Sequence, residues 1–272
     1  MNPEQYKVEK SLGEGAYGVV ELVSDLTQPE TPFLVRKCVK KEIPEGFWER
    51  EIDIMRAINE MNSDHLIKFI QADENCILMN YVVGYNLREY FNQFPDQAHE
   101  SSLSENLLHQ LIPVMNQLYD MNIVHRDIKM ENIIYNPATQ WFTLIDFGLS
   151  CIHEDPVCIN VIAGTPYYTS PRIYDKRFFN RLPLVWSDYA KNDIFALGVC
   201  VWFLLHRRDP PMTMIKLQLP KRVINKYDIS TKKSWDRPDT PSWLKDVTFK
   251  MLSGLLNVKD IITHYPMLEI LT

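Results

Sequence analysis

Along residues 6–10 apolar and polar side chains alternate, Tyr6-Lys7-Val8-Glu9-Lys10, the period of a half-buried strand. Residues 19–23 and 33–39 are two further β-rich runs, and Ile77-Leu78-Met79 is a short apolar run ahead of a glycine. Together they predict an antiparallel sheet. Between the third and later strands, residues 47–61 carry Phe47, Ile54, Met55 and Ile58 at helical spacing, which predicts one helix within an otherwise β lobe. After Gly84 the pattern turns helical. Leu107, Leu108, Leu111, Val114, Met115 and Leu118 define a long amphipathic helix, with Pro113 expected to kink it. Residues 94–104, polar and proline-containing, read as a loop. Farther on, Ile133-Ile134-Tyr135 and residues 141–145 are β-rich runs around Asn136-Pro137-Ala138-Thr139-Gln140, the pattern of a hairpin. The expected fold is α+β and bilobal: an antiparallel sheet with one helix over residues 1–81, a larger mainly helical lobe over 82–272, and a hinge near 80–84.

Composition narrows the class. The chain has 272 residues, 46% hydrophobic and 24% charged, which suits one two-lobed domain or two small ones, and disorder is not expected. No repeat or low-complexity tract interrupts it. A net charge of −6 and the lack of a basic run argue against nucleic acid as a partner. The N-terminal residues carry no apolar signal core, and the longest apolar run, residues 194–205, is too short to span a bilayer, so no membrane association is expected. Cys38, Cys76, Cys151, Cys158 and Cys200 are odd in number and lack C-x-x-C spacing, which favours a reducing cytoplasmic or nuclear compartment, with the cysteines as small buried hydrophobes or loop thiols.

The segment His125-Arg126-Asp127-Ile128-Lys129-Met130-Glu131-Asn132, followed by Asp146-Phe147-Gly148, brings chemistry into the picture. A γ-phosphoryl group moving from ATP to a hydroxyl spreads negative charge over its oxygens, so the site needs metal ions, a cation and an acceptor for the hydroxyl proton. Asp127 can accept that proton, Lys129 can reach the transferring phosphate, and Asn132 and Asp146 can hold Mg²⁺ through oxygen. The hairpin between them returns Asp146 to Asn132. Upstream, Gly13, Gly15 and Gly18 form a G-x-G-x-x-G run whose backbone amides can approach a triphosphate. The residues after it, Val19-Val20-Glu21-Leu22-Val23, are strand-like rather than helical, so a strand-turn-strand flap is expected in place of a dinucleotide-binding turn.

In this order the glycine run, Lys37, Glu51, the 125–132 loop, Asp146-Phe147-Gly148, Gly164-Thr165 and Asp193 resemble the eukaryotic-type protein kinases, of the serine/threonine type and loosely calmodulin-kinase-like. The resemblance runs from about Tyr6 to the C-terminus. It implies a single catalytic domain, ATP and Mg²⁺ as cofactors, protein substrates with Ser/Thr hydroxyls, and a monomer. Lys37 would bind the α- and β-phosphates and Glu51 would pair with it, with Lys40 as the competing lysine. Met79 falls at the gatekeeper position; the backbone of Asn80 and Val82 would meet the adenine edge, Asn86 the ribose, and Val20, Val35 and Ile134 the ring, with Leu12 heading the glycine run. Met55, His125 and Phe147 would form a packing stack. Asp193 resembles a buried helix-start aspartate that braces the catalytic loop. Lys129 and Thr165 follow the Ser/Thr pattern, and Glu131 matches an acidic position that relatives use to attract a basic substrate side chain.

Some positions depart from that pattern. Between Asp146 and Thr165 the single hydroxyl residue is Ser150, so Arg126 lacks the usual phosphorylated partner, and Glu154 or Asp155 is expected to take its place. Arg172 stands where the family has a glutamate, and the arginine that glutamate pairs with is also missing. Arg36 and Val35 replace an apolar residue and an alanine. An active kinase and a silent pseudokinase scaffold that binds nucleotide and partner proteins are the two readings, and the retained catalytic groups favour the first.

Overall fold

The period-2 patterns become a five-stranded antiparallel sheet in order β1-β2-β3-β5-β4, built from β1 (Tyr6–Glu14), β2 (Gly18–Asp25), β3 (Leu34–Val39), β4 (Phe69–Ala72) and β5 (Cys76–Asn80). The computed structural model describes residues 5–14, 18–28, 30, 33–40, 46–98, 100–153, 155, 162–208, 212–219, 222–227, 235 and 237–269. Helix α1 (Phe47–Glu60) packs beside the sheet and buries Ile54, Met55 and Ile58, as its spacing predicts, while Phe47 at its start is half-buried. Arg50 and Glu51 are buried with them.

Register decides which side chains face the cleft. Val20 lies opposite Lys37, Glu21 opposite Arg36 and Leu22 opposite Val35 between β2 and β3, while Val35 pairs with Met79 on β5. Successive strand residues point to opposite faces. Val35 and Lys37 therefore face the interior, and Arg36 turns outward, donating to Glu21 Oε2 at 2.8 Å. The arginine that stood out in the sequence is a cross-strand ion pair on the far face.

The second lobe begins with β6 (Tyr85–Asn86) and α2 (Leu87–Gln93), then α3 (Pro95–Ala98) and α4 (Ser101–Asp120). The loop expected over 94–104 is replaced by α3 and the first turn of α4. Pro95 opens a helix instead of breaking one, because proline at the first helical position gives up no intrahelical bond. Pro113 lies inside α4 without ending it. Strands β7 (Ile123–Val124), β8 (Ile133–Asn136), β9 (Trp141–Leu144) and β10 (Cys151–Ile152) follow, with β8 and β9 forming the expected hairpin in the register Ile133 to Leu144. Then come α5 (Pro171–Tyr174), α6 (Trp186–His206), a backbone hairpin of β11 (Met212–Leu219) and β12 (Arg222–Tyr227), α7 (Ser242–Leu252) and α8 (Val258–His264). The apolar run 194–205 lies in α6, the helix at the centre of this lobe, where Ile194, Phe195, Leu197, Val201 and Leu204 are buried. Among the described residues no helix is long and apolar enough to cross a membrane.

The cysteines differ from expectation. Cys38 and Cys76 are direct register partners on β3 and β5, with Cα atoms 4.1 Å apart, and form a disulfide. Cys151 is disulfide-bonded too, and Cys200 is the free, buried cysteine among those described. The linear spacing held no sign of the pair because strand pairing brings together residues 38 positions apart.

Candidate active site

A cleft of about 1570 Å³ opens between the lobes. Leu12, Gly13, Gly18, Val20, Val35, Met79, Val82, Asn86 and Ile134 line it together with Lys37, Asp127, Lys129, Glu131, Asn132, Asp146 and Thr165. Of the remaining expected positions, Gly15 lies outside the described residues, and Asn80 is not on the cleft wall. The Asn80 amide N–H donates to Lys68 O at 3.0 Å and its side-chain oxygen accepts from the Lys68 N–H at 2.6 Å, two bonds that tie it to the residue before β4. Asn86 caps α2: its Oδ1 accepts from the Glu89 N–H at 2.9 Å while Glu89 accepts from the Asn86 N–H.

Lys37 settles the competition between lysines. Its Nζ lies 2.5 Å from Glu51 Oε1 and 3.0 Å from Asp146 Oδ1, whereas Lys40 pairs with Glu14 on the surface. Burial opposes the charge on Lys37, but the Asp146 and Glu51 carboxylates outweigh it and hold the ammonium above its ordinary pKa. Burial likewise resists ionisation of Asp146, and Lys37 overcomes it, drawing the carboxyl down to about 2. Three segments distant in sequence thus meet in one charged cluster.

The 125–132 loop is held from below and orders its own side chains above. Both Asp193 oxygens accept backbone N–H groups, from His125 at 2.7 Å and Arg126 at 2.8 Å. Asp193 is the expected brace but does not start a helix: α6 begins at Trp186, so a capping role is excluded. Arg126 and Asp146 both have left-handed backbones, φ 68° and 63°, conformations that persist only where surrounding bonds impose them. Asp127 Oδ1 accepts from the Thr165 N–H at 3.0 Å and the Thr165 hydroxyl at 2.8 Å. Its Oδ2 accepts from Lys129 Nζ at 2.5 Å and Asn132 Nδ2 at 3.1 Å. Asn132 Nδ2 also donates to Asp127 O at 2.9 Å, which orients Oδ1 as the outward group. The Ile145 N–H donates to Asn132 O at 3.0 Å, so the β8–β9 hairpin returns Asp146 to Asn132 as expected. The Asn132 and Asp146 oxygens are the hard donors that a divalent cation such as Mg²⁺ takes, and the ionised Asp146 supplies charge.

Packing residues surround this chemistry. The His125 and Phe147 rings meet edge-on at 4.8 Å, and Met55 is buried with them in the core. Burial pushes the His125 imidazole down, and its neutral form suits the bonds it makes, Nε2 to Ile145 O at 3.0 Å and Nδ1 accepting from the Asp127 N–H at 3.3 Å. Ser150 is 1% exposed and its hydroxyl donates to His125 O, so it is buried rather than presented for modification. Of the two carboxylates expected beside Arg126, Glu154 is outside the described residues and Asp155 accepts from Arg50 Nε of α1 at 2.6 Å; the Arg126 guanidinium lies over the Tyr189 ring at 4.5 Å, and its Nη1 donates to Cys151 Sγ at 2.6 Å. Arg50 was not singled out in the sequence, because a charged helical residue beside Glu51 reads as a solvated face. Glu131 also has an internal partner, Arg88 of α2, at 3.2 Å.

A Serine/threonine-protein kinase ksp1 of Schizosaccharomyces pombe is 28% identical over 220 residues, covering 75% of this chain and 44% of that protein. A probable myosin light chain kinase of Dictyostelium discoideum is 29% identical over 203 residues, covering 74% of this chain and 62% of its own length. The chain thus spans about half the length of these curated relatives. The solved structure of the Cydia pomonella granulovirus kinase PK-1 superposes with a TM-score of 0.68 at 22% identity, covering 97% of this chain and 95% of that one, a likeness of fold. Residues 6–260 match the protein kinase domain, and with the cleft, the Lys37 cluster and the braced loop in place, this chain belongs to the protein kinase family.

Proposed function

We propose that this chain is an active serine/threonine protein kinase that transfers the γ-phosphoryl group of Mg-ATP to Ser/Thr hydroxyls of proteins. The observation that carries the reading is the Asp127 network, in which one carboxylate is oriented at once by Lys129, Asn132 and Thr165. Asp127 takes the proton of the incoming hydroxyl, and Lys129, already beside it, stabilises charge on the transferring phosphate. Lys37, held by Glu51, grips the α- and β-phosphates. Asn132 and Asp146 would hold Mg²⁺, which supplies neutralising charge at the phosphate oxygens. The protein kinase family generally uses ATP and Mg²⁺, and the donor set here is of the matching kind.

A pseudokinase scaffold is the competing reading, and loss of one of these groups would favour it. None is lost. Mg²⁺-dependent transfer of labelled phosphate to a protein substrate, abolished by Asp127→Asn, is expected. ATP binding by the wild type with no transfer to any Ser/Thr substrate would overturn the active reading.

A further inference from the structure

Glu131, in the catalytic loop and on the wall of the cleft, is already paired within the chain. Arg88 Nε donates to Glu131 Oε1 at 3.2 Å, and its Nη2 donates to the Tyr168 hydroxyl, also at 3.2 Å. The same guanidinium lies over the Phe203 ring of α6, 4.2 Å from its centroid. A carboxylate, a phenol and an aromatic face are the groups by which a protein recognises an arginine side chain. Here the arginine is the protein's own. Neither partner is deeply buried, with the Arg88 and Glu131 side chains 31% and 43% exposed, so a substrate side chain can compete for the carboxylate.

We propose that Arg88 is a specificity-determining residue, an internal occupant of the Glu131 subsite that makes the enzyme nearly indifferent to a basic substrate residue there. This rests on the reading of the chain as a protein kinase whose substrate passes Glu131. A basic side chain arriving at Glu131 gains only the difference between its own bond and the one it displaces. Arg88 is tethered, so the displaced side chain stays close and competes at high effective concentration. Tyr168 adds to the hold: its hydroxyl, on a buried residue only 7% exposed, accepts from the Met130 N–H at 3.5 Å as well as from Arg88. The acidic side chain on the helix that carries Arg88, Glu89, is engaged with the Asn86 N–H in the α2 cap.

The test uses neutral-background Ser peptides in which a single arginine is walked through the positions on either side of the acceptor. Both kcat/KM and binding, by fluorescence anisotropy, are measured for wild type, Arg88→Met, Arg88→Gln, Arg88→Lys, Glu131→Gln and the Arg88→Met/Glu131→Gln double variant. Methionine keeps the aliphatic contact with Phe203, and glutamine provides a second neutral replacement should methionine fold poorly. An exposed charge pair contributes up to about fivefold. The wild type should therefore respond to arginine by less than about twofold at every position that depends on Glu131, within that competition. Arg88→Met and Arg88→Gln should gain about fivefold at one position, through KM and binding with kcat unchanged. The double variant should lose the gain, and Arg88→Lys should resemble wild type. Equal arginine profiles for wild type and both neutral variants would overturn the proposal. So would a strong Glu131-dependent preference in the wild type that neither variant raises. Anisotropy decides these outcomes even if no variant transfers phosphate, a result that would instead refute the active-kinase reading.

Discussion

Asp155→Ala removes the carboxylate that ties the segment after Asp146-Phe147-Gly148 to α1. The Arg50 side chain is 6% exposed and that of Asp155 23%, with Nε and Oδ2 2.6 Å apart. Exposed pairs contribute about 0–1 kcal/mol, whereas stripping the partner from a buried charge costs about 3–5 kcal/mol. Arg50 keeps its bond to Gly46 O at 3.3 Å and its place over the Phe47 ring, so the loss should fall between those limits, at about 2 kcal/mol. That free energy acts on the docking of α1, whose next residue, Glu51, holds Lys37. A shift of about 2 kcal/mol changes the docked to undocked ratio about 30-fold, which lowers kcat wherever the docked form is not in large excess. Phosphate transfer by phosphatase-treated bacterial protein is the assay, with wild type, Asp155→Ala, Asp155→Asn, Arg50→Ala and the double alanine variant compared. Wild type should be fully active without phosphorylation, Asp155→Asn should fall between wild type and alanine, and the double variant should be no worse than Arg50→Ala. A dead phosphatase-treated wild type, or Asp155→Ala with unchanged kcat and unchanged melting temperature, would refute the reasoning.

Burial raises Asp193 from 3.8 to about 7, so between these values the native state binds more protons than the unfolded chain and stability falls as pH rises. The stability difference between wild type and Asp193→Asn, measured by calorimetry, should accordingly narrow from pH 4 to 7 and then level off; a difference that widens over that window would contradict it. Gly164 has φ +101°, and a Cβ there would sit 2.3 Å from Arg126 O, so Gly164→Ala should cost about 2 kcal/mol or more and lower kcat, with unchanged melting and kinetics as the contrary result. Arg172 is exposed, and Lys259 of α8 pairs with Asp120 at 2.7 Å, leaving it engaged elsewhere. Arg172→Glu should therefore shift stability by no more than about 0.5 kcal/mol and should not raise the melting temperature, a clear rise being the refuting outcome.

What could be read without coordinates was whatever local order carries. The alternation in β1, the helical spacing in α1 and the turn between β8 and β9 are properties of neighbouring residues, and Lys37, Glu51, Asp127, Asn132 and Asp146, which stand out by their order in the sequence, line one cleft. Strand β4 escaped notice because its four residues show no clean alternation, Phe69 and Ala72 being half-buried and Ile70 and Gln71 exposed. The loop expected over 94–104 failed for another reason, since proline stops a helix only from its interior.

The sequence by itself determined the chemistry: which side chains can take a proton, hold a cation or carry a permanent charge, and the fold class that orders them. Tertiary structure decided the pairing. Arg50 with Asp155, Arg88 with Glu131 and Cys38 with Cys76 join residues 105, 43 and 38 positions apart. Charge and thiol chemistry are written in residue types, but a partner is chosen by distance after the chain has folded, and sheet register and helix packing set that distance.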